Sequence, residues 1–205
     1  MPSKVFQELD KEKQNRVIEA SIREFAEHGY AGGTTNRIIK ECGISKGSLF
    51  KYFENKEELY FYLIDLVTEQ REKEMKGEIE ELSKDLFKRT IGYAVAEFSW
   101  HASHPVRGKF LMAVAAETDP EICAKIAERY GGKSEDVFRE LMKGVDMSDF
   151  RNEREEIINM LKWVMAGFNN SFLQSMAGRT EDPASLQKEY VKQLKTYLKM
   201  LKKGL

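Results

Sequence analysis

Cysteine is scarce in this chain. Cys42 and Cys123 are the only two, too few and too far apart for a disulfide framework, a CxxC redox motif or a zinc spacing, so a reducing compartment is expected. Proline is scarce as well. Pro105, Pro120 and Pro183, three of the four, sit where a helix can begin rather than inside one. Asn-Gly and Asp-Gly dipeptides are absent and two-residue alternation is rare, so hairpins lack their usual turns. No apolar run reaches the roughly 18 residues of a membrane span before a charge interrupts it. Residues 1–20 are charged and have no apolar signal region. A cytoplasmic protein is expected. Net charge is also missing, at −1. The bulk composition therefore neither favours nor excludes a polyanionic partner, and local charge must decide.

What is present is enough to build a core. Aromatic residues at 11% and hydrophobic residues at 41% exclude a disordered chain. A length of 205 residues fits one large domain, or a small one joined to a larger. Helical periodicity runs almost throughout and predicts an all-α protein of about nine helices. The first covers about Lys11–His28, with Val17, Ile18, Ile22, Phe25 and Ala26 as its apolar stripe and Gly29 as its stop. Gly32 and Gly33 are read as a loose connector. A short helix over Thr35–Cys42, capped by Thr34 or Thr35 and ended by Gly43, precedes another over Lys46–Tyr52 capped by Ser45. Asn55-Lys56-Glu57-Glu58 has the form of a capping box and opens a helix to about Lys76. Further helices are expected over about Ser83–Ser103, Pro105–Glu117, Pro120–Lys143 with a possible kink at Gly131-Gly132, Asn152–Ala177, and from Pro183 to before Gly204.

Residues 35–53, TNRIIKECGISKGSLFKYF, place two short helices around a tight turn. Ile38, Ile39, Leu49 and Phe53 can pack inward, and Ile44 can plug between the helices. That leaves Ser45, Lys46, Gly47, Ser48, Phe50, Lys51 and Tyr52 for an outward face. The set offers two cations, hydroxyls and a glycine that permits close approach. This suits a recognition helix, whose N-terminal residues meet base edges in the major groove. Local charge agrees: Thr34–Phe53 holds four cations, Arg37, Lys40, Lys46 and Lys51, against one acid, Glu41.

At these residues the chain resembles the TetR family of transcriptional regulators. The resemblance rests on Phe25-x3-Gly29-Tyr30-x3-Thr34-Thr35, then Ile38-x4-Gly43-Ile44-Ser45-Lys46-Gly47-Ser48-Leu49-Phe50-x-Tyr52-Phe53-x-Asn55-Lys56-Glu57-x-Leu59. It covers about residues 11–60. Two mild departures are Asn36, where an acidic or other polar residue is common, and Cys42, where alanine or leucine is usual. The resemblance implies that Thr35, Tyr52 and Lys56 contact phosphate, and that Ser45, Lys46, Gly47, Ser48 and Phe50 lie along the groove. Lys51 stands at a position that varies in the family. It implies a helix-turn-helix DNA-binding domain over residues 1–54 and a helical effector-binding and dimerisation domain over 55–205.

Two other motifs compete. Gly43-Ile44-Ser45-Lys46-Gly47 matches the G-x-S-x-G nucleophile elbow, but that elbow needs a preceding strand, and Asn36–Cys42 reads as helix. His101 and His104, at i and i+3, could share a helix face, but no neighbouring Cys/His/Glu cluster completes a metal site. No catalytic residue, metal or cofactor is expected. In the body, Tyr93, Phe98, Trp100, Phe110, Phe138, Trp163, Phe168, Asn169 and Phe172 are candidates for a site taking a small apolar or amphipathic effector; ordinary core is the competing reading for each. The Asn152–Ala177 helix is apolar on two faces, and the last helix carries Leu186, Tyr190, Val191, Leu194, Tyr197, Leu198 and Leu201. A helix apolar on two sides must bury both, which points to a homodimer through these last two helices. The expected whole is a ligand-responsive dimeric regulator, a repressor released from a pseudo-palindromic double-stranded DNA operator.

Overall fold

The computed structural model describes residues 2–146, 154–175 and 182–204, with the side chains of residues 133–138, 140, 173 and 204 outside the description. Ten α-helices run in order: α1 Lys4–Gln7, α2 Lys11–Gly32, α3 Thr35–Cys42, α4 Lys46–Tyr52, α5 Lys56–Glu80, α6 Leu86–Ser103, α7 Pro105–Ala115, α8 Pro120–Leu141, α9 Arg154–Ser175 and α10 Pro183–Gly204. The β structure among the described residues is one isolated bridge, Asp85 to Asp146. The additional element relative to nine is α1, a single turn too short to carry a periodicity.

Local chemistry explains the ends of these helices. Asp10 caps α2 by accepting the Lys13 N–H at 2.8 Å. Asp182 opens α10 by accepting the N–H groups of Ala184 and Ser185, each at 3.0 Å. Asn55 accepts the Glu58 N–H at 2.8 Å, while Glu58 accepts from Glu54 at 2.7 Å. The capping box is thus shifted by one residue on its return arm. Gly29 has φ 63° and ψ −172°, a combination open essentially to glycine alone, so the continuous part of α2 stops at His28. Gly32 and Gly33 do not form a loose connector. Gly33 is buried, and its N–H donates to the Gly29 carbonyl at 3.1 Å. Gly131 and Gly132 do not interrupt α8, which runs through them.

Two compact units result, Met1–Glu74 with Trp100–Gly132, and Met75–Ser99 with Lys133–Leu205. In the first, Val17, Ile22, Phe25, Ile38, Leu49, Phe53, Leu59, Tyr60, Leu63 and Phe110 are nearly or fully buried. Here α7 lies along α2, joined at its edges by Arg107 to Glu19 and Lys109 to Glu27. In the second, Leu86, Met142, Ile157, Leu161, Phe172, Leu194 and Leu198 form the centre. Arg89 is buried there; its guanidinium donates to the carbonyls of Leu82 (2.9 Å), Ser83 (3.3 Å) and Leu141. These bonds satisfy backbone groups that would otherwise be stranded where the chain turns.

The turn between α3 and α4 depends on Gly43, at φ 66° and ψ 32°. A Cβ built there would meet nothing within 4 Å, so the constraint is the left-handed backbone and not space. Gly43→Ala is expected to lower unfolding free energy by about 1–2 kcal/mol, read as a fall in denaturation midpoint with unchanged slope.

Candidate nucleic-acid interface

The helix-turn-helix is assembled from capped short segments. Thr34 accepts the Arg37 N–H at 3.4 Å to begin α3. Gly43 ends α3, and the Ile44 N–H returns to the Ile39 carbonyl at 3.2 Å. Ser45 accepts the Ser48 N–H at 3.1 Å to begin α4, and its hydroxyl lies 2.9 Å from that of Ser48. Leu49 and Phe53 are buried, at 1% and 2% exposure. With these two facing inward, helical spacing turns Lys46, Gly47, Phe50 and Lys51 to solvent, with Ser45 exposed and Ser48 and Tyr52 half-buried. Ser45 is preceded by α3 and a turn, not by the strand a nucleophile elbow requires.

The charge of this face is set by α2. Arg37 is directed back to Glu24, its Nε donating to both carboxylate oxygens at 2.8 and 2.9 Å, and its Nη2 donates to the Gly32 carbonyl at 2.5 Å. Glu24 also accepts the Thr34 N–H at 2.6 Å. Burial pushes the Glu24 carboxyl up, but the Arg37 guanidinium and the Thr34 N–H outweigh it and hold it below its ordinary value. Glu41, the one acid of the segment, pairs with Arg23 at 2.6 Å. Both charges are therefore answered by α2. Lys40, Lys46 and Lys51 are exposed and make no ion pair among the described residues. The Lys46 ammonium lies 6.0 Å from the Phe50 ring centroid, and Phe50 is 40% exposed.

The remaining DNA-binding candidates sit differently. Thr35 is half-buried as the first residue of α3. Lys56, at the start of α5, turns inward. Its Nζ donates to the carbonyls of Tyr30 (2.9 Å) and Gly33 (3.3 Å) and lies 4.1 Å over the Tyr30 ring. It clamps the α2–α3 turn, with Glu117 accepting the Tyr30 N–H at 3.1 Å. One contributor escaped the sequence reading as a site residue: Glu24, which accepts from Arg37 and the Thr34 N–H. Glu24 had a visible signal, an acid at a position on the inward stripe of its helix.

The body candidates divide between the units. Trp100 and Phe110 belong to the first. Trp100 is buried, donates from Nε1 to Glu74 at 2.8 Å and stacks on His104 at 4.8 Å; Phe110 meets Tyr60 edge-on at 5.8 Å. In the second, Phe98, Phe168 and Phe172 surround Tyr190 at 5.6, 5.0 and 5.0 Å, and the Tyr190 hydroxyl donates to Asn169 at 2.5 Å. Tyr93 is half-buried against the same core. Trp163 is 75% exposed, and Phe138 lies outside the described side chains. His104 Nε2 is 3.4 Å from Glu74, whereas His101 is partly buried, burial and then Arg71 lowering its pKa. The two imidazoles thus have separate surroundings, and no three His, Cys, Asp or Glu side chains among the described residues are grouped to hold a metal ion. No helix among them is long and apolar enough to cross a membrane.

Residues 17–63 match the family model described as bacterial regulatory proteins, tetR family. The chain is 36% identical over 94 residues to the uncharacterized HTH-type transcriptional regulator YerO of Bacillus subtilis, a match spanning 44% of this chain but 32% of that protein. It is 27% identical over 158 residues to the HTH-type transcriptional repressor AcnR of Corynebacterium efficiens, covering 76% of this chain and 79% of AcnR. Among solved structures, the transcriptional regulator FadR from Bacillus subtilis in complex with stearoyl-CoA superposes with TM-score 0.68 at 18% identity, over 88% of this chain and 96% of that one. All three are named as transcriptional regulators or repressors.

The Glu24 carboxyl is held below its ordinary value of 4.5. Its contribution is therefore full above that value and is lost as pH falls through the lower folded-state value. Glu24→Gln is expected to cost about 1–3 kcal/mol near neutral pH by leaving Arg37 and the Thr34 N–H poorly paired. It should also flatten the acid limb of stability against pH, measured by urea unfolding between neutrality and acid.

Proposed function

We propose, from the match of residues 17–63 to the tetR family model, that the protein is a dimeric, ligand-responsive repressor of that family that binds a pseudo-palindromic DNA operator in the cytoplasm. Residues 1–54 read DNA, and residues 55–205 dimerise and sense. The observation that carries the reading is the outward face of α4: Lys46 and Lys51 exposed and without ion pairs among the described residues, the exposed Phe50 ring, and Gly47, where no side chain blocks approach. In this reading α4 enters the major groove with Ser45, Lys46, Gly47, Ser48 and Phe50 at or near the base edges. Lys51, Tyr52 and Thr35 meet phosphate. Lys56 reaches phosphate by exchanging a carbonyl for it, or acts by holding the α2–α3 turn.

Dimerisation through α9 and α10 is supported by Trp163, Tyr197 and Met200, which stand 75%, 48% and 64% exposed on those two helices. Large apolar side chains left exposed on two helices that share a core suit a covered face. A dimer spaces two copies of α4 by about 34–36 Å or a multiple of it, which selects a two-fold related operator. The effector reading centres on Tyr93, Phe98, Phe168, Asn169 and Phe172. An apolar cluster holding one polar pair, Asn169 with Tyr190, suits a small apolar or amphipathic molecule, in keeping with the stearoyl-CoA carried by FadR. The effector favours a conformation whose half-site spacing no longer fits the operator. The helix α5 begins beside the recognition helix and runs past Glu74 into the second unit, which makes it the link.

Lys46→Ala with Tyr52→Phe should weaken operator binding about tenfold or more and reduce the slope of log K against log salt by roughly 1, with unchanged helicity. Unchanged affinity and slope, measured on DNA selected from random sequence, would overturn the assignment. Trp163→Glu with Met200→Glu should shift the protein to monomer in sedimentation equilibrium; a persistent dimer would move the interface elsewhere.

A further inference from the structure

Ser3 joins two helices that are distant in sequence. Its hydroxyl accepts the Phe6 N–H at 3.3 Å, capping α1, and donates to the Lys51 carbonyl at 2.6 Å. Its own N–H donates to the Tyr52 carbonyl at 2.9 Å. Those two carbonyls end α4, where a helix has no internal donors left. Phe6 is 2% exposed and packs on the same end, its ring 4.8 Å from Phe53, 5.6 Å from Tyr52 and 6.0 Å from Tyr62. The one-turn α1 is in turn held by Gln14 of α2. This nearly buried amide approaches the carbonyls of Phe6 (3.0 Å), Gln7 (2.9 Å) and Leu9 (3.0 Å) from one nitrogen. A continuous chain of contacts thus runs from the body of α2, through Gln14 and α1, to the C-terminal end of α4.

We infer that residues 3–14 form a brace that sets the pose of the recognition helix, with Ser3 as the positioning residue; the inference rests on reading α4 as the helix that enters the groove. Ser45 fixes the N-terminal end of α4 from within the helix-turn-helix, and Ser3 fixes the other end from outside it. Lys51 and Tyr52, whose carbonyls Ser3 holds, carry side chains assigned to phosphate. A loosened C-terminal turn would misplace them and let α4 rotate about its axis. Base readout would then suffer more than general attraction to DNA, because base contacts need alignment and phosphate attraction does not.

The test uses the full chain with substitutions at Ser3. Ser3→Ala removes the hydroxyl, and Ser3→Pro removes the N–H as well at a φ of −63° that suits the proline ring. Ser3→Thr keeps both donors. Binding is measured to a selected operator and to a scrambled duplex of equal length, beside circular dichroism and amide exchange. Ser3→Pro is expected to lower the specific-to-scrambled affinity ratio about tenfold and Ser3→Ala about threefold to fivefold, with Ser3→Thr close to the parent. Amides of residues 50–53 should exchange about fivefold faster in Ser3→Pro, while those of α3 keep their rates. Equal losses on both duplexes would mean a general loss of folded protein and overturn the brace. So would an unchanged ratio and unchanged exchange. If the parent does not distinguish the two duplexes, the DNA-reading assignment itself fails, and the exchange of residues 50–53 alone decides whether Ser3 braces α4.

Discussion

Helices of seven and eight residues are not stable in water by themselves, because nucleation costs more than so few hydrogen bonds return. α3 and α4 are of that length, and the arrangement of the first unit follows from holding them. Both start on side-chain caps, Thr34 and Ser45, and both bury apolar side chains, Ile38, Leu49 and Phe53, against their surroundings. What caps and burial leave unfixed is supplied from outside. Lys56 grips the carbonyls before α3, Glu24 accepts the Thr34 N–H, and Ser3 closes the end of α4.

The same contacts determine the electrostatics. Glu24 stands among apolar neighbours on α2, and a buried carboxylate needs a cation and donors to remain ionised. Arg37 and the Thr34 N–H provide them, which commits the Arg37 charge to α2. Arg23 takes Glu41 out of the segment on the other side. The lysines that stay exposed owe their effect to this sorting. A chain with a net charge of −1 can leave lysines exposed on this segment because the segment's one acid, Glu41, is paired with Arg23 of α2.

The second unit follows a different logic. Its centre is apolar, and the polar groups inside it are satisfied locally: Arg89 by three carbonyls, Tyr190 by Asn169, and Gln187 by the Ser99 hydroxyl at 2.9 Å. Gathering Phe98, Phe168 and Phe172 around one tyrosine gives tilted and edge-on ring contacts, which favour a defined geometry over simple area burial. Trp163 on the same helix as Phe168 faces solvent, so α9 divides its aromatic side chains between an interior and an exterior face.

The sequence by itself determined the all-α class and the bounds of α3 and α4, because their signals are local: a cap, an apolar spacing and a left-handed glycine lie within a few residues of the ends they define. It also marked the candidate recognition face, since once Leu49 and Phe53 turn inward the 3.6-residue period leaves little choice for the rest. The tertiary structure decided the partners. Arg37 meets Glu24 across 13 residues, Lys56 meets Tyr30 across 26, and Ser3 meets Lys51 across 48. It also separated Trp100 and Phe110 from Phe98, Phe168 and Phe172, although periodicity gave all five the same apolar character. Periodicity fixes which way a side chain turns from its own helix, but which neighbour it meets depends on how distant helices pack.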